Sequence, residues 1–428
     1  MAGPLPLASR WSHLAQQFRN SPLIHPRTQE ERNTRLLYLN TAIVGVPSGG
    51  VVAFLPVFLV RLGASSSMVG WLTSAPALLT ILALIPAAMI SERSHNQVKV
   101  RSRYAWYYQI AYLLAALAPF VVPAASLPLV LVALWTAKTF PEAVAIPSWM
   151  SVMARAVPPQ RRARLNGTRW AMLSIVSAVS SAFFGWLLDS VAFPLNYQLV
   201  FLISFITAWF DPFFFSFIKV PPLPDAPIER AHGLLKRFSG YFGPVFSHKP
   251  FLTFIAITIL YRVALNFPTP LFSLFWVNEL HASEGLIGMR GLVGNAFLVV
   301  GYIFWGRSAN KIGHRQVLFL AALGSALYPI VTGLSPSAWW LLPAAAIWGL
   351  TAAGIDIGLF DMMLAYIPER RQPLFTAVWS MVANVAIFIG PQLGAILSDA
   401  TSLSMALIIA GIAQMITTIP FIALPRDV

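Results

Sequence analysis

Cysteine is absent from the 428 residues of this chain, and charged residues make up only 10% of them. The lack of cysteine excludes disulfides and thiolate chemistry. A soluble globular domain carries about 25% charged residues, so the low charge content argues against that class. The 7 histidines lie in polar segments without the spacing of metal ligands, and the chain lacks a phosphate loop, a dinucleotide fingerprint and a Ser/His/Asp arrangement. We therefore expect no enzyme activity, no metal and no cofactor.

Apolar residues instead make up 57% of the chain, and the mean hydropathy is +0.70. A run of about 20 apolar residues is long enough to cross the hydrocarbon core of a bilayer as a helix. Twelve such runs lie near residues 36–60, 66–90, 103–123, 127–153, 170–189, 196–218, 251–277, 286–306, 316–335, 338–365, 374–397 and 402–424. The sequence therefore predicts an all-α integral membrane protein with twelve transmembrane helices.

The basic residues mark one side of this protein. If both termini share a side, 25 of the 29 Lys and Arg residues fall in the segments and loops of that side. The opposite loops hold Arg61 as their one basic residue. The positive-inside rule then places both termini in the cytoplasm, and the excess of basic charge indicates topology rather than nucleic-acid binding. We expect a multi-pass monomer in contact with membrane lipids, in a bacterial-type inner (plasma) membrane.

The chain contains a duplication. The pattern from Leu62 to Gly70, Leu-Gly-Ala-Ser followed by Val-Gly, recurs 218 residues later from Leu280 to Gly288 as Leu-His-Ala-Ser followed by Ile-Gly. A repeat of this length indicates two whole half-domains rather than a solenoid. The sequence predicts two pseudo-symmetric six-helix halves, 36–218 and 250–428, joined by a proline-rich cytoplasmic linker, 219–249.

Residues 1–35 form a separate segment on the predicted cytoplasmic side. Leu7, Trp11, Leu14 and Phe18 recur at helical spacing with polar and basic residues between them. This pattern favours an amphipathic helix on the inner membrane face, with an organelle transit peptide as the alternative. Thr28 with Glu31 has the spacing of a capping box, which predicts that the first transmembrane helix begins there.

The loop between the eighth and ninth spans carries a recognisable motif. It reads Gly306-Arg307-Ser308-Ala309-Asn310-Lys311-Ile312-Gly313-His314-Arg315. This loop, together with the paired halves and the linker, resembles the major facilitator superfamily of secondary transporters over about residues 36–424. Asn310 takes the place of Asp, and Lys311 the place of Arg, in that family's Gly-x-x-x-Asp-Arg-x-Gly-Arg-Arg signature. In the first half the acid–base pair Glu92-Arg93 remains, without the glycines.

The resemblance implies a fold and two functional regions. The first is a cytoplasmic gate held closed by charge pairing, whose counterparts here are Glu92, Arg93, Gly306, Asn310, Lys311, Gly313 and Arg315. The second is a central cavity lined by helices 1, 4, 7 and 10. Substrate and proton coupling would then involve the charged residues on those helices.

Seven ionisable residues fall inside the predicted spans: Lys138, Glu142, Asp211, Arg262, Arg290, Asp356 and Asp361. Each costs about 2.5–3.5 kcal/mol at a helix centre, so each requires a partner, water or a function. Five of them lie on helices 4, 7 and 10 and are the candidates for substrate and proton coupling: Lys138, Glu142, Arg262, Asp356 and Asp361.

Two interpretations stay open for several of these five. Lys138 and Glu142 are four residues apart on one helix face, so they form either a local ion pair or part of a coupling site. Arg262 either binds a carboxylate or phosphate of the substrate or pairs with an acid on another helix. Asp356 and Asp361 are about 140° apart around their helix. Asp356 is the better proton carrier, and Asp361 is the better gate residue.

The other two buried charges lie on helices that are not expected to line the cavity. We expect structural roles for Asp211 and Arg290, with Glu284 or Glu279 as the ion-pair partner of Arg290. Three polar residues in or at the edge of spans are expected to form hydrogen bonds between helices: Asn40, Gln109 and Asn384.

The sequence as a whole predicts a secondary active transporter that moves a small solute by alternating access. We expect proton coupling, with Asp356 and Glu142 as proton carriers and Lys138 and Arg262 as counter-charges or anchors. The charge of the substrate stays open. The alternative is a non-transporting membrane scaffold or assembly factor built on the same fold, which should lack a polar cavity.

Overall fold

The computed structural model describes residues 26–92, 94–221, 245–368 and 372–424. These residues form twelve long helices and contain no strand. The helices are α1 Gln29–Arg61, α2 Ser66–Glu92, α3 Gln97–Val121, α4 Leu127–Ala156, α5 Pro159–Ser190, α6 Leu195–Ser216, α7 Lys249–Glu279, α8 Glu284–Ile312, α9 His314–Gly333, α10 Ala338–Tyr366, α11 Gln372–Ala400 and α12 Leu403–Ala423. The predicted amphipathic segment and most of the linker lie outside the described residues.

Eleven of the twelve helices contain a stretch long and apolar enough to cross a membrane. The remaining helix, α3, is 25 residues long and carries Lys99, Arg101 and Arg103 in its first two turns. Large apolar side chains such as Leu82, Trp186 and Ile396 are more than 60% exposed, as is usual for a surface that faces lipid. The predicted all-α membrane fold with twelve spans is confirmed.

The first helix begins where the capping box predicts. The Thr28 hydroxyl accepts a hydrogen bond from the N–H of Glu31 (3.2 Å), and the Glu31 carboxylate accepts one from the N–H of Thr28 (3.1 Å). This cap satisfies N–H groups at the start of the helix, so α1 begins at Gln29, before the apolar run that starts at residue 36.

Three of the helices expected to line the cavity are interrupted. Gly50 in α1 has non-helical dihedrals (φ −99°, ψ −105°), and the Ser204 hydroxyl accepts the hydrogen bond of the next N–H, from Val51 (3.2 Å). The helical hydrogen bonding of α4 breaks at Lys138, and that of α7 breaks just before Thr269. Proline lies at the breaks in α4 (Pro141) and α7 (Pro268 and Pro270), where it removes a backbone N–H donor.

The halves meet along two pairs of helices, α2 with α11 and α5 with α8. We call the end of the bundle where α1 and α7 begin the linker end, and the end where they stop the far end. Near the far end, glycines bring α5 and α8 into backbone contact. A Cβ at Gly185 would lie 2.7 Å from the carbonyl oxygen of Glu284 and 2.9 Å from the Cα of Gly288. Small residues allow such close approach between membrane helices.

Replacing Gly185 by alanine should therefore destabilise the contact between the halves. Overpacking of a tight contact costs about 1–3 kcal/mol, so we expect a lower melting temperature in detergent. Gly167→Ala on the same helix is the matched control, because its Cβ would meet nothing within 4 Å. Equal melting temperatures for the two variants would contradict the close packing of α5 on α8.

Candidate functional site

A cavity of about 410 Å³ lies between the halves, within the size range of small-molecule sites. Helices α1 and α5 of the first half and α7, α8, α9, α10 and α12 of the second half line it. Of the helices expected to line a central cavity, α1, α7 and α10 line this one, whereas α4 does not. The close approach of α5 and α8 brings α8 to the wall as well. Polar groups on the wall include Asn266, Arg290, Ser325, Tyr328, Asp356 and Gln414.

Arg290 lines the cavity, although a structural role was expected for it from the sequence. Its guanidinium carbon lies 4.7 Å from the ring centre of Trp276 and 5.3 Å from that of Trp348. Its Nη2 donates a hydrogen bond to the Tyr328 hydroxyl (2.6 Å). The expected partner is wrong, because Glu284 pairs with Arg61 instead. Among the residues that the structure describes, no carboxylate forms an ion pair with Arg290.

Asp356 is exposed where it lines the same cavity. Its carboxylate accepts a hydrogen bond from the Tyr302 hydroxyl (2.9 Å). Arg262 on α7 lies close enough to attract it electrostatically, without forming an ion pair. The Arg262 guanidinium instead stacks on the ring of Trp379 (4.5 Å), and its buried Nε has no hydrogen-bond partner. The two charges attract each other, and neither forms an ion pair among the described residues.

Lys138 and Glu142 form the local ion pair that was one of their two interpretations. Lys138 Nζ lies 2.7 Å from the Glu142 carboxylate and 4.4 Å from the ring centre of Trp135. Both residues line a separate space of about 300 Å³ between α2, α4 and α11. The structure therefore does not bring them into one cavity with Asp356.

The signature loop holds the linker end of the second half together. The carboxylate of Asp361 on α10 lies 2.7 Å from Nδ1 of His314. His314 directly follows Gly313, whose φ of +86° is a backbone conformation that favours glycine. Arg315 donates hydrogen bonds to the carbonyl oxygens of Ile422 (2.9 Å) and Leu424 (2.8 Å) at the end of α12.

The rest of the predicted gate has fewer observed contacts. Asn310 and Lys311 are exposed, and the Asn310 side chain donates only to the carbonyl of Gly306, one turn earlier. Arg93 and the Glu92 side chain lie outside what the structure describes. A gating role for this loop stays a prediction.

A buried polar network joins three helices of the first half. Asp211 on α6 is fully buried and accepts hydrogen bonds from Arg101 Nη2 (2.8 Å) and Gln109 Nε2 (2.9 Å) of α3. The amide of Asn40 on α1 also donates to it. Structural roles for Asp211, Asn40 and Gln109 were expected. Arg101 was missed, since its position just before an apolar run is typical of a loop cation.

Replacing Asp211 by alanine should destabilise the protein, because Arg101, only 6% exposed, would lose its counter-charge. Breaking a buried ion pair costs about 3–5 kcal/mol, so the melting temperature and the folded yield in detergent should fall. Asp399→Ala is the matched control, since that carboxylate is exposed at the end of α11.

A double variant separates the cost of an unpaired charge from loss of packing. Arg101→Met with Asp211→Leu removes both charges and should be more stable than Asp211→Ala, because apolar side chains often replace a buried ion pair without loss. A double variant no more stable than the single one would contradict this explanation.

Ionic contacts close the far end between the halves. Arg61 at the end of α1 pairs with Glu284 at the start of α8 (2.8 Å) and donates to the Ala282 carbonyl (2.7 Å). The Tyr197 hydroxyl donates to the same Glu284 carboxylate (3.1 Å), and the Asp189 carboxylate accepts from the N–H of Gly285 (2.9 Å). The sequence signal for this far-end latch is Arg61, the one basic residue in loops that otherwise carry acids.

Glu284→Gln should loosen the far-end latch. The Ser67 hydroxyl donates a hydrogen bond to the Gln392 side chain across the interface between the halves (3.4 Å). Because the chain has no cysteine, the substitution Ser67→Cys introduces a single thiol that can report opening of this interface. We expect its reaction with a membrane-impermeant maleimide to be about tenfold faster in the Glu284→Gln background, since charge-assisted hydrogen bonds contribute about 1.5–3 kcal/mol. Glu279→Gln, an exposed acid at the same end, is the control. Equal rates in both backgrounds would contradict the latch.

Two related six-helix halves, a closed far end and a polar cavity between them define a multi-pass membrane protein with the architecture of a secondary transporter. A family profile described as Major Facilitator Superfamily matches residues 37–274 and 254–428, which together cover both halves. The chain belongs to the Major Facilitator Superfamily.

Several similar proteins match part of the chain. A Na(+), Li(+), K(+)/H(+) antiporter of Planococcus maritimus is 26% identical over 152 residues, which are 34% of this chain and 35% of the relative. A multidrug transporter of Aspergillus fumigatus is 30% identical over 114 residues, 26% of this chain and 19% of the relative. The matched regions thus span about a third or less of these relatives.

Solved structures match nearly the whole chain. A POT family transporter in complex with 5-aminolevulinic acid gives a TM-score of 0.71 over 92% of this chain and 96% of its own, at 12% identity. A bacterial homologue of the iron transporter ferroportin, in an inward-facing state, gives 0.67 over 91% and 98%, at 15% identity. At these identities the likeness extends to the fold alone.

Proposed function

We propose that this chain is a secondary active transporter that moves a small solute by alternating access and couples this movement to protons. The observation that carries the proposal is the cavity between the halves, where Asp356 is exposed on the wall without an ion pair. In support, the relatives that match part of this chain include a Na(+), Li(+), K(+)/H(+) antiporter and a multidrug transporter.

Asp356 is the proposed proton carrier. A carboxylate that accepts a hydrogen bond from Tyr302 and attracts Arg262 can bind and release a proton as its surroundings change. Protonation removes its attraction for Arg262, which weakens the electrostatic interaction between α10 and α7. Glu142, for which the sequence predicts the same role, lies outside this cavity and is paired with Lys138. We therefore assign the proton to Asp356.

Alternating access requires the far end to open. In the state described here the far-end latch joins the halves, so the proposed route to the cavity runs from the linker end. The positive-inside rule places the linker end, and with it both termini, in the cytoplasm. The transport cycle then breaks the Arg61–Glu284 pair each time the cavity opens outward.

The scaffold alternative has a weaker basis. A non-transporting protein built on this fold has no use for charged groups exposed to an internal cavity, since each is costly in a membrane. The cavity contains two such groups, Arg290 and Asp356. A scaffold should also copurify with a fixed partner.

Asp356→Asn should abolish proton-coupled transport. The assay uses pyranine-loaded proteoliposomes with an imposed pH gradient and three probes suggested by the similar proteins: Li⁺, ethidium and 5-aminolevulinic acid. We expect the unmodified protein to show proton flux when at least one probe is added. This flux should fall more than about tenfold in Asp356→Asn, because the variant lacks the proton-transferring group. Asp399→Asn, with an exposed carboxylate outside the cavity, should retain the flux.

Two outcomes would contradict the proposal. Proton flux that persists in Asp356→Asn would show that another group carries the proton. Absence of flux with every probe, together with copurification of a stoichiometric partner, would favour the scaffold.

A further inference from the structure

Arg290 leaves most of its hydrogen-bonding capacity unused. A guanidinium has five N–H donors and no acceptor. The Tyr328 hydroxyl takes one of them, while the buried Nε has no partner. The positive charge also lacks an ion-pair partner among the described residues. Unsatisfied charge of this kind is costly inside a membrane, so a ligand that supplies negative charge and acceptors would be bound favourably.

A second unsatisfied donor lies beside it. The indole N–H of Trp276 is buried without a hydrogen-bond partner, although its ring is the one nearest to the Arg290 guanidinium (4.7 Å). Indole nitrogen is a donor only. Two side chains with an unmatched buried donor, one on α7 and one on α8, therefore line the same cavity, and neither donor has an acceptor within the part of the protein that the structure describes.

The remaining wall around these donors is aromatic. The Tyr328 ring stacks on Phe272 (4.3 Å), Phe272 stacks on Trp276 (6.1 Å), and Trp348 lies 5.3 Å from the guanidinium carbon. All four side chains line the cavity. Flat apolar surfaces beside a planar cation favour a flat apolar body with an anionic group at one end.

Asp356, the acidic residue on the cavity wall, favours a cationic ligand less than Arg290 favours an anionic one. Asp356 already accepts a hydrogen bond from Tyr302 and attracts Arg262. Protonation of Asp356, its proposed role, leaves the cavity with the positive charge of Arg290. The unmet demand in the cavity is therefore for acceptors and negative charge.

We propose that the cavity selects small monocarboxylates with an aromatic or flat apolar body. The carboxylate binds the Arg290 guanidinium and the Trp276 indole N–H, and the apolar body packs against Phe272 and Trp348. This inference rests on the proposed function for the protonation of Asp356 and for the claim that the bound solute is also the one transported.

Binding can be measured without transport. The purified full-length protein in detergent is heated with three probes that share one ring and differ in charge: phenylacetate, phenylacetamide and 2-phenylethylamine. We expect phenylacetate to raise the melting temperature by several degrees at millimolar concentration, because a ligand of the folded state stabilises it. The neutral amide and the amine should cause little or no shift.

Three variants locate the binding group. Arg290→Gln should lose the shift caused by phenylacetate. Trp276→Phe keeps an aromatic ring but removes one donor, so phenylacetate affinity should fall about tenfold, as for the loss of one hydrogen bond to a charged group. Arg103→Gln, an exposed arginine on α3, should keep the full shift. If Arg290→Gln fails to fold, the loss of affinity in Trp276→Phe still tests the site.

Several outcomes would overturn the proposal. These are an equal shift with phenylacetamide, a shift with 2-phenylethylamine alone, no shift with phenylacetate, or unchanged phenylacetate binding in both Arg290→Gln and Trp276→Phe. Failure of this proposal is distinguishable from failure of the proposed function. Proton flux without carboxylate binding would remove only the substrate class, and carboxylate binding without any proton flux would leave the anion site and remove proton coupling.

Discussion

The scarcity of charge inside the membrane is the constraint on which the rest of this structure depends. A bilayer provides no water for a buried polar group, so each backbone break and each charge within a span must be satisfied by the protein itself. In the Asp211 network, donors from α1 and α3 form hydrogen bonds with the buried carboxylate and meet this requirement. A buried charge that is left unsatisfied is therefore informative, because stability alone does not explain it.

Hydrophobic runs and the duplication were sufficient to predict the membrane fold, because span length and repeat length are properties of the chain itself. The capping box at Thr28 and hydrogen bonding by Asn40 and Gln109 were also predictable, since each depends on local spacing or on the cost of a polar group in a span. Arg101 was missed for a local reason. Its helix begins at Gln97, among polar residues that the apolar run does not include.

The candidate site was less predictable, because it depends on how the halves pack. Backbone contact between α5 and α8 at Gly185 brings α8 to the cavity wall, and with it Arg290. The family resemblance implied α4 instead, and placed Lys138 and Glu142 in the cavity. The small residues on both helices, Ser181 and Gly185 opposite Gly285 and Gly288, are the sequence signal that predicts this close approach.

The two halves differ in the charge that they bring to the cavity, and this difference indicates a division of labour. The first-half residues on the cavity wall are uncharged, and the first half keeps two complete ion pairs within its spans, Arg101 with Asp211 and Lys138 with Glu142. In the second half Arg290 and Asp356 line the cavity, and neither forms an ion pair among the described residues. An ion pair that is complete in one half fixes that half internally, whereas a charge without a pair can respond to a proton or a solute. Binding to the second half can therefore change the energy of the bundle. The far-end latch is the contact through which such a change reaches the first half.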